Sequence, residues 1–261
     1  MRNPLLFALG LSVGLAGLAG AQTEFPFSDD FETGTPAPNW DVDSVETTSV
    51  FGTRGTLTAV DLDVDWRGVV IEPPEGGGNY MGRLGWASTG TGTYWRLVGQ
   101  PDARNYSVEA DIFVPTVDAD AAPDNFLYQI MILSDNASGY ARFHFQHNEN
   151  LTDGPRVRLQ GVGLATVHDD PTADLLGYDD EGWYHLRIDQ DHDASTVTVY
   201  LDGVDIYEGP STIEQASFAD GGKSGIGGYN NGDTGGMERV VYFDNFFAGE
   251  PTSLRDWAIY E

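Results

Sequence analysis

Residues 183–208 read WYHLRIDQDHDASTVTVYLDGVDIYE. Tyr184, Leu186 and Ile188 alternate with His185, Arg187 and Asp189, the period-two pattern of a strand with one face buried and the other in water. Asp191–Ser195 is a polar turn. Thr196–Leu201 is a second strand rich in β-branched residues. Asp202-Gly203 is a two-residue hairpin signal, and Val204–Glu208 follows as a third strand. The three strands form a meander, and its apolar face needs a second layer to cover it.

Outward from this stretch the same short alternation recurs at Tyr106–Val114, Phe126–Leu133, Tyr140–His147, Arg156–Val162 and Arg239–Ala248, bounded by Gly, Asp, Asn and Pro. Such spacing predicts an all-β sandwich or barrel. No stretch after residue 21 shows a long helical period; one helical turn is expected near Ser211–Phe218. No linker or repeat divides residues 22–250, which read as one domain. Residues 1–21 read as a signal peptide: Arg2, an apolar run from Leu5 to Leu18, and the small-residue site Ala19-Gly20-Ala21. The run is shorter than the ~20 residues of a membrane span. The expected location is secreted, extracellular or periplasmic. The tail, residues 251–261 (PTSLRDWAIYE), either docks on the domain through Trp257, Ile259 and Tyr260 or contacts another partner.

The chain has 261 residues, with 13 Lys and Arg against 41 Asp and Glu, a net charge of −28, and no cysteine. An overall polyanion lacks the clustered bases that nucleic acid requires, and an acidic membrane surface repels it. Zero cysteine excludes disulfides, thiolate metal sites and thiol catalysis. The hydrophobic content of 40% is too high for a disordered polyanion. A single lysine, Lys223, and the acid excess suit a salty exterior, where screening weakens self-repulsion.

Four segments in order carry a family resemblance: FSDDFETGTPAPNW near the start, the meander with its YLDG hairpin, SGIGGYNNG, and VVYFDNFFAG near the end. Over roughly Phe27 to Gly249 the chain resembles the concanavalin A-like, laminin-G-like jelly rolls of secreted bacterial proteins. The resemblance implies two antiparallel sheets, one of them concave, and it spans lectin-like modules, adhesion modules and glycoside-cleaving enzymes. Function must therefore come from the site. The resemblance also implies one structural calcium. Asp29, Asp30 and Glu32 at the first strand and Asp244 and Asn245 at the last bring oxygens together if those strands pair, with Asp30 and Asp244 as the expected ligands. The alternative is that these acids accept hydrogen bonds from nearby backbone N–H groups.

Jelly-roll glucanases carry E-x-D-x-E on a concave strand, and retaining glycosidases place two carboxyls ~5 Å apart. The nearest match is Glu109-Ala110-Asp111-Ile112-Phe113, in which the third acid is missing. Arg142, His144 and Gln146 share one strand face, and Arg156, Arg158 and Gln160 share another. His185 and Arg187 share a third. Together they predict a polar sheet face that includes Glu109 and Asp111. That face is either a groove for a sugar polymer, anionic ones included, or ordinary cross-strand ion pairing. Uronate lyases of jelly-roll form offer a further comparison: KSGIGGY (residues 223–229) is similar to their last strand, whereas their Q-I-H motif is Gln129-Ile130-Met131 here. Trp86, Tyr94 and Trp95, in the Gly- and Thr-rich segment GWASTGTGTYW, are expected on a loop as stacking platforms for sugar rings. Trp40 and Trp183 read as core.

The leading expectation is a secreted, lectin-like jelly roll that binds carbohydrate or polysaccharide without cleaving it. One alternative is a glycoside hydrolase or polysaccharide lyase using Glu109, Asp111 and His144. A second is a structural or cell-surface interaction protein. The oligomeric state is left open.

Overall fold

The computed structural model describes residues 26–38, 40, 53–65, 68–87, 92–99, 105–114, 126–133, 140–147, 156–162, 168–170, 181–211, 223–230 and 238–250. Residues 1–21, the tail 251–261 and most of the expected helical turn at 211–218 lie outside them. In chain order the strands are β1 (Phe27–Asp29), β2 (Thr53–Arg54), β3 (Thr56–Val60), β4 (Asp63–Val64), β5 (Val70–Ile71), β6 (Met81–Ala87), β7 (Gly92–Gly99), β8 (Asn105–Val114) and β9 (Phe126–Leu133). They continue with β10 (Tyr140–His147), β11 (Arg156–Val162), β12 (His168–Asp170), β13 (Gly182–Asp191), β14 (Thr196–Leu201), β15 (Val204–Pro210), β16 (Lys223–Asn230) and β17 (Glu238–Gly249).

The meander forms as its sequence predicts. β13 pairs with β14 and β14 with β15, all antiparallel. The turn between the last two is Asp202-Gly203, with φ of 49° and 74°. Both residues occupy the left-handed region, as a two-residue hairpin demands, and only Asn, Asp and Gly accept it readily. Along β13 burial alternates: Tyr184, Leu186, Ile188 and Gln190 face inward.

The meander is one flank of an eight-stranded sheet ordered β15-β14-β13-β8-β17-β6-β3, with β1 paired to β17. A second, seven-stranded sheet runs β12-β11-β10-β9-β16-β7-β2, and its neighbours are antiparallel apart from the β2–β7 pair. The core lies between the sheets. Val108, Ala110, Ile112, Leu186, Val199, Leu84 and Phe243 come from one side, and Ile130, Phe143 and Ile226 come from the other. Trp86 reaches from β6 across the core to Gly228 on β16, where a Cβ would collide with the indole. Glycine is required there because the ring takes the space of a side chain.

The ends of the described chain are stitched together. Asp29 pairs with Phe246 in register. The segment after β1 folds over the sheet end through Phe31 and Trp40, whose rings, with that of Phe27 on β1, meet Phe243 and Phe246. A small hairpin, β4–β5, covers part of the outer face of the eight-stranded sheet. Under it a second apolar cluster gathers Ile71, Met81, Phe113 and Tyr242, with Trp183 against it. Trp183 therefore packs on the outside of the sheet, with its indole N–H donated to Glu72 O, while Trp40 is core as expected.

Candidate functional site

The polar residues expected on one face divide between two. Glu109 and Asp111 stand on β8, with His185 and Arg187 beside them on β13, all on the outer face of the eight-stranded sheet. Arg142, His144, Arg156 and Arg158 belong to β10 and β11 in the other sheet. The expectation of a single face combining Glu109 and Asp111 with His144 is therefore corrected: the whole core separates them.

On the eight-stranded sheet the charges satisfy one another. His185 Nδ1 lies 2.7 Å from Asp111 Oδ1, and its Nε2 lies 3.7 Å from Glu109 Oε2. Burial alone would lower the imidazole pKa, but the hydrogen bond to Asp111 and the negative charge of both carboxylates outweigh it and push it up to about 9. Asn245 donates its amide N–H to Asp111 Oδ2 at 2.7 Å. Asn245 has φ 49°, and the bulge it creates in β17 brings its side chain to Asp111. Arg187 forms a two-pronged bond to Asp189, 2.7 Å on each arm, and lies 5.2 Å over the Tyr200 ring. Ser107 donates to Asp189, and Asp202 accepts from the backbone N–H of His185. Asp189, Asp202 and Asn245 were not singled out as partners from sequence. Their roles depend on β8, β13 and β17 being neighbours, which local pattern does not state. Carboxylates so fully engaged act as a structural ion network.

The seven-stranded sheet presents a different arrangement. Its inward positions are fixed by the fully buried Ile130, Phe143 and Ile226, which lie in one row. The alternate positions form the outer face. One outer row runs strand to strand through Asp169, Arg158, His144, Gln129, Gly227, Trp95 and Arg54. A flanking row carries Gln160, Arg142, Met131, Gly225 and Leu97, and the other carries Arg156, Gln146, Leu127, Tyr229 and Thr93. Arg142, Arg156, Arg158 and His144 are thus brought together, and Gln129 joins them.

The three aromatics expected on one loop are separated. Trp86 lies on β6 and is 5% exposed, in the core, which corrects its placement as a sugar platform. Tyr94 and Trp95 lie on β7, because the strands extend into the Gly-rich segment from both sides. Tyr94 pairs with Gly228, at an inward position, and Trp95 pairs with Gly227, at an outer one.

The first and last strands do pair, as the calcium reading supposed, and this permits a test of its ligands. Asp29 accepts from Phe31 N, Ala37 N and Trp40 Nε1 at 2.7–3.0 Å. Glu32 accepts from Asn79 N and Tyr80 N, and Asp30 from Glu32 N. These acids hold backbone donors. Asp244 differs: it is wholly buried, Oδ1 accepts from Asn245 N, and Oδ2 has no hydrogen-bond partner. Burial first, then the charges of Asp111, Glu32 and Asp30, push its pKa up to about 8. Calcium takes six to eight oxygens. Among the described residues no group of three His, Asp or Glu side chains is placed to hold a metal. The fit is limited to one open carboxylate oxygen, Asp244 Oδ2.

No protein-family model matches the chain, and no curated protein does. Among solved structures it is similar to a Bacteroides ovatus mixed-linkage glucan PUL GH16 protein in complex with a G4G4G3G product. The TM-score is 0.50 at 12% identity, covering 85% of this chain and 98% of that one. It is also similar to the cellulose-induced protein Cip1, with TM-score 0.50 and 16% identity over 86% of this chain and 97% of that one. At such identities the likeness speaks for architecture alone, and the architecture is a two-sheet antiparallel jelly-roll sandwich.

Proposed function

We propose that this protein is an exported, laminin-G-like jelly roll that binds polysaccharide without cleaving it, along the outer face of the seven-stranded sheet. One observation carries the reading: register aligns Trp95, Gln129, His144 and Arg158 in a single row across that sheet, with Gly227 among them. An indole offers a stacking surface for a sugar ring, and amide, imidazole and guanidinium groups are partners for hydroxyls. The test is a binding titration over a polysaccharide panel. Trp95→Ala is expected to weaken the best ligand about tenfold, equivalent to about 1.4 kcal/mol. Unchanged affinity in that variant would remove the row as the site.

A lyase acting on the same face is the second reading. The opposition of Gln129 and His144 in register favours it, and appearance of an ultraviolet-absorbing unsaturated product on any polyuronate would establish it. Glu109 and Asp111 do not serve that reading, since they lie on the other sheet.

A structural calcium forms part of the proposal, with Asp244 as its carboxylate and Asp30 nearby. The unpartnered Oδ2 supports it. Millimolar calcium is expected to raise the melting temperature of the wild type and to have no effect on Asp244→Asn. A melting temperature indifferent to calcium and to chelator would leave Asp244 as a buried, protonated acid.

A further inference from the structure

We infer that the polymer bound by the seven-stranded sheet is a polyanionic glycan, one bearing carboxylate or sulfate groups along its length. The inference rests on the reading that this sheet binds polysaccharide, and it comes from where the few positive charges are.

The chain holds 13 bases and 41 acids. The strands of the seven-stranded sheet hold six of those bases, Arg54, Arg96, Arg142, Arg156, Arg158 and Lys223, and two acids, Asp169 and Asp170. Both acids lie on the edge strand β12. The strands of the eight-stranded sheet have the opposite balance, with Arg83, Arg187 and Arg239 against nine acids.

Register sharpens the contrast. Arg54, Arg142, Arg156, Arg158 and Lys223 all take outer positions, opposite the buried Ile130, Phe143 and Ile226. The outer positions contain a single acid, Asp169. At the chain's overall proportion, six charges would include one or two bases rather than five. Asp169 stands opposite Arg158, and β7, β9, β10, β11 and β16 themselves contain no acid that could neutralise the other four in the sheet plane.

The spacing favours a polymer over a single sugar acid. Arg158 on β11 and Arg54 on β2 stand five strands apart in one row. At sheet spacing that is roughly 24 Å. Between them the row is His144, Gln129, Gly227 and Trp95. Charge at intervals along an otherwise neutral, stacking and hydrogen-bonding track suits a ligand whose own charges recur along a chain of hydroxylated rings. Nucleic acid is the poorer match: its charge density is high, and the remainder of this protein carries a large negative charge that repels it. A glycan with sparser charges, held by bidentate guanidinium contacts, tolerates that field better.

The experiment uses matched probes: polygalacturonate with its fully methyl-esterified form, and dextran sulfate with dextran. Affinity is measured at 50 and 500 mM NaCl for the wild type and for Arg142→Gln/Arg158→Gln, with a thermal melt of each. At least one polyanion is expected to bind tenfold or more tightly than its neutral partner. That advantage should shrink at high salt and fall at least fivefold in the double variant. Neutral polymers bound equally well, with no salt dependence, would overturn the polyanion inference and leave the polysaccharide reading standing. No binding to any of the four would overturn both. Equal binding of single-stranded DNA would show a general anion surface and overturn the glycan assignment. Polyanion binding undiminished in a folded double variant would move the site off this sheet. Should the double variant fail to fold, Arg156→Gln alone and Arg158→Lys are used. Loss of preference in the first with retention in the second supports the inference, and retention in both removes it.

Discussion

His185 shows how one side chain can be read two ways. In the sequence it is a polar residue on an alternating strand, compatible with a groove. In the structure it is a charged group held between Asp111 and Glu109, 12% exposed, with Asp202 and Asn245 completing its surroundings. Its folded pKa, about 9, lies above the ordinary 6.5. The sign follows directly: the imidazolium contributes stability in full below about pH 6.5, and that contribution is lost as pH rises through about 9. The expected size is on the order of 3 kcal/mol. Denaturant titrations of wild type and His185→Gln should differ by about that much at pH 6 and converge by pH 10. A gap that does not change with pH would assign the residue a packing role only. The alternation of His185 with Leu186 was legible in the sequence. Its partners were not, because which strand lies beside β13 is decided by long-range pairing.

At the scale of elements, the short strand β1 and the segment behind it depend on one carboxylate. Asp29 collects Phe31 N, Ala37 N and the Trp40 indole N–H, and so holds Phe31 at φ 58°, a conformation a bulky residue rarely takes. Burial of Phe31 and Trp40 against Phe243 and Phe246 offsets that strain. Asp29→Ala leaves two buried donors and one part-buried donor without an acceptor, at a cost of roughly 3 kcal/mol. For a domain of this size the melting temperature should fall by roughly 6–12 °C. A drop smaller than 2 °C would mean that the segment contributes little to the fold. Elements were the most legible level. Strands β9, β10, β11 and β14 have the limits that alternation predicts. Of the segments not expected as strands, β2, β3, β4, β5 and β12 are only two to five residues long, and β6, β7 and β16 are rich in glycine. There Gly228 makes room for Trp86, so the packing partner, and not the strand's own side chains, carries the apolar signal. The same gap put Trp86 on a loop. Even the basic sheet was half visible: residues 126–133, 140–147 and 156–162 contain no acid. Only topology shows that β7 and β16 join them in one sheet.

For the whole molecule, a net charge of −28 means that folding gathers like charges together. Salt screens that repulsion, with a Debye length of about 30 Å at 0.01 M and 3 Å at 1 M. The melting temperature is therefore expected to climb between those two conditions, by several degrees. Binding of a polyanion should weaken over the same range. A melting temperature that falls with added salt would show that the internal ion pairs, such as Arg187 with Asp189, outweigh the overall repulsion.

β17 lies between β8 and β6, near the middle of the eight-stranded sheet, and it is also the last strand in the described chain. A ribosome adds about 5–20 residues each second, so for many seconds the nascent polypeptide lacks the strip that joins its two halves. Neither β1 nor the Phe31 ring has its partner until that strip emerges. Such an order of manufacture leaves β8 and β6, which are made early, without the strand that joins them until β17 has been made.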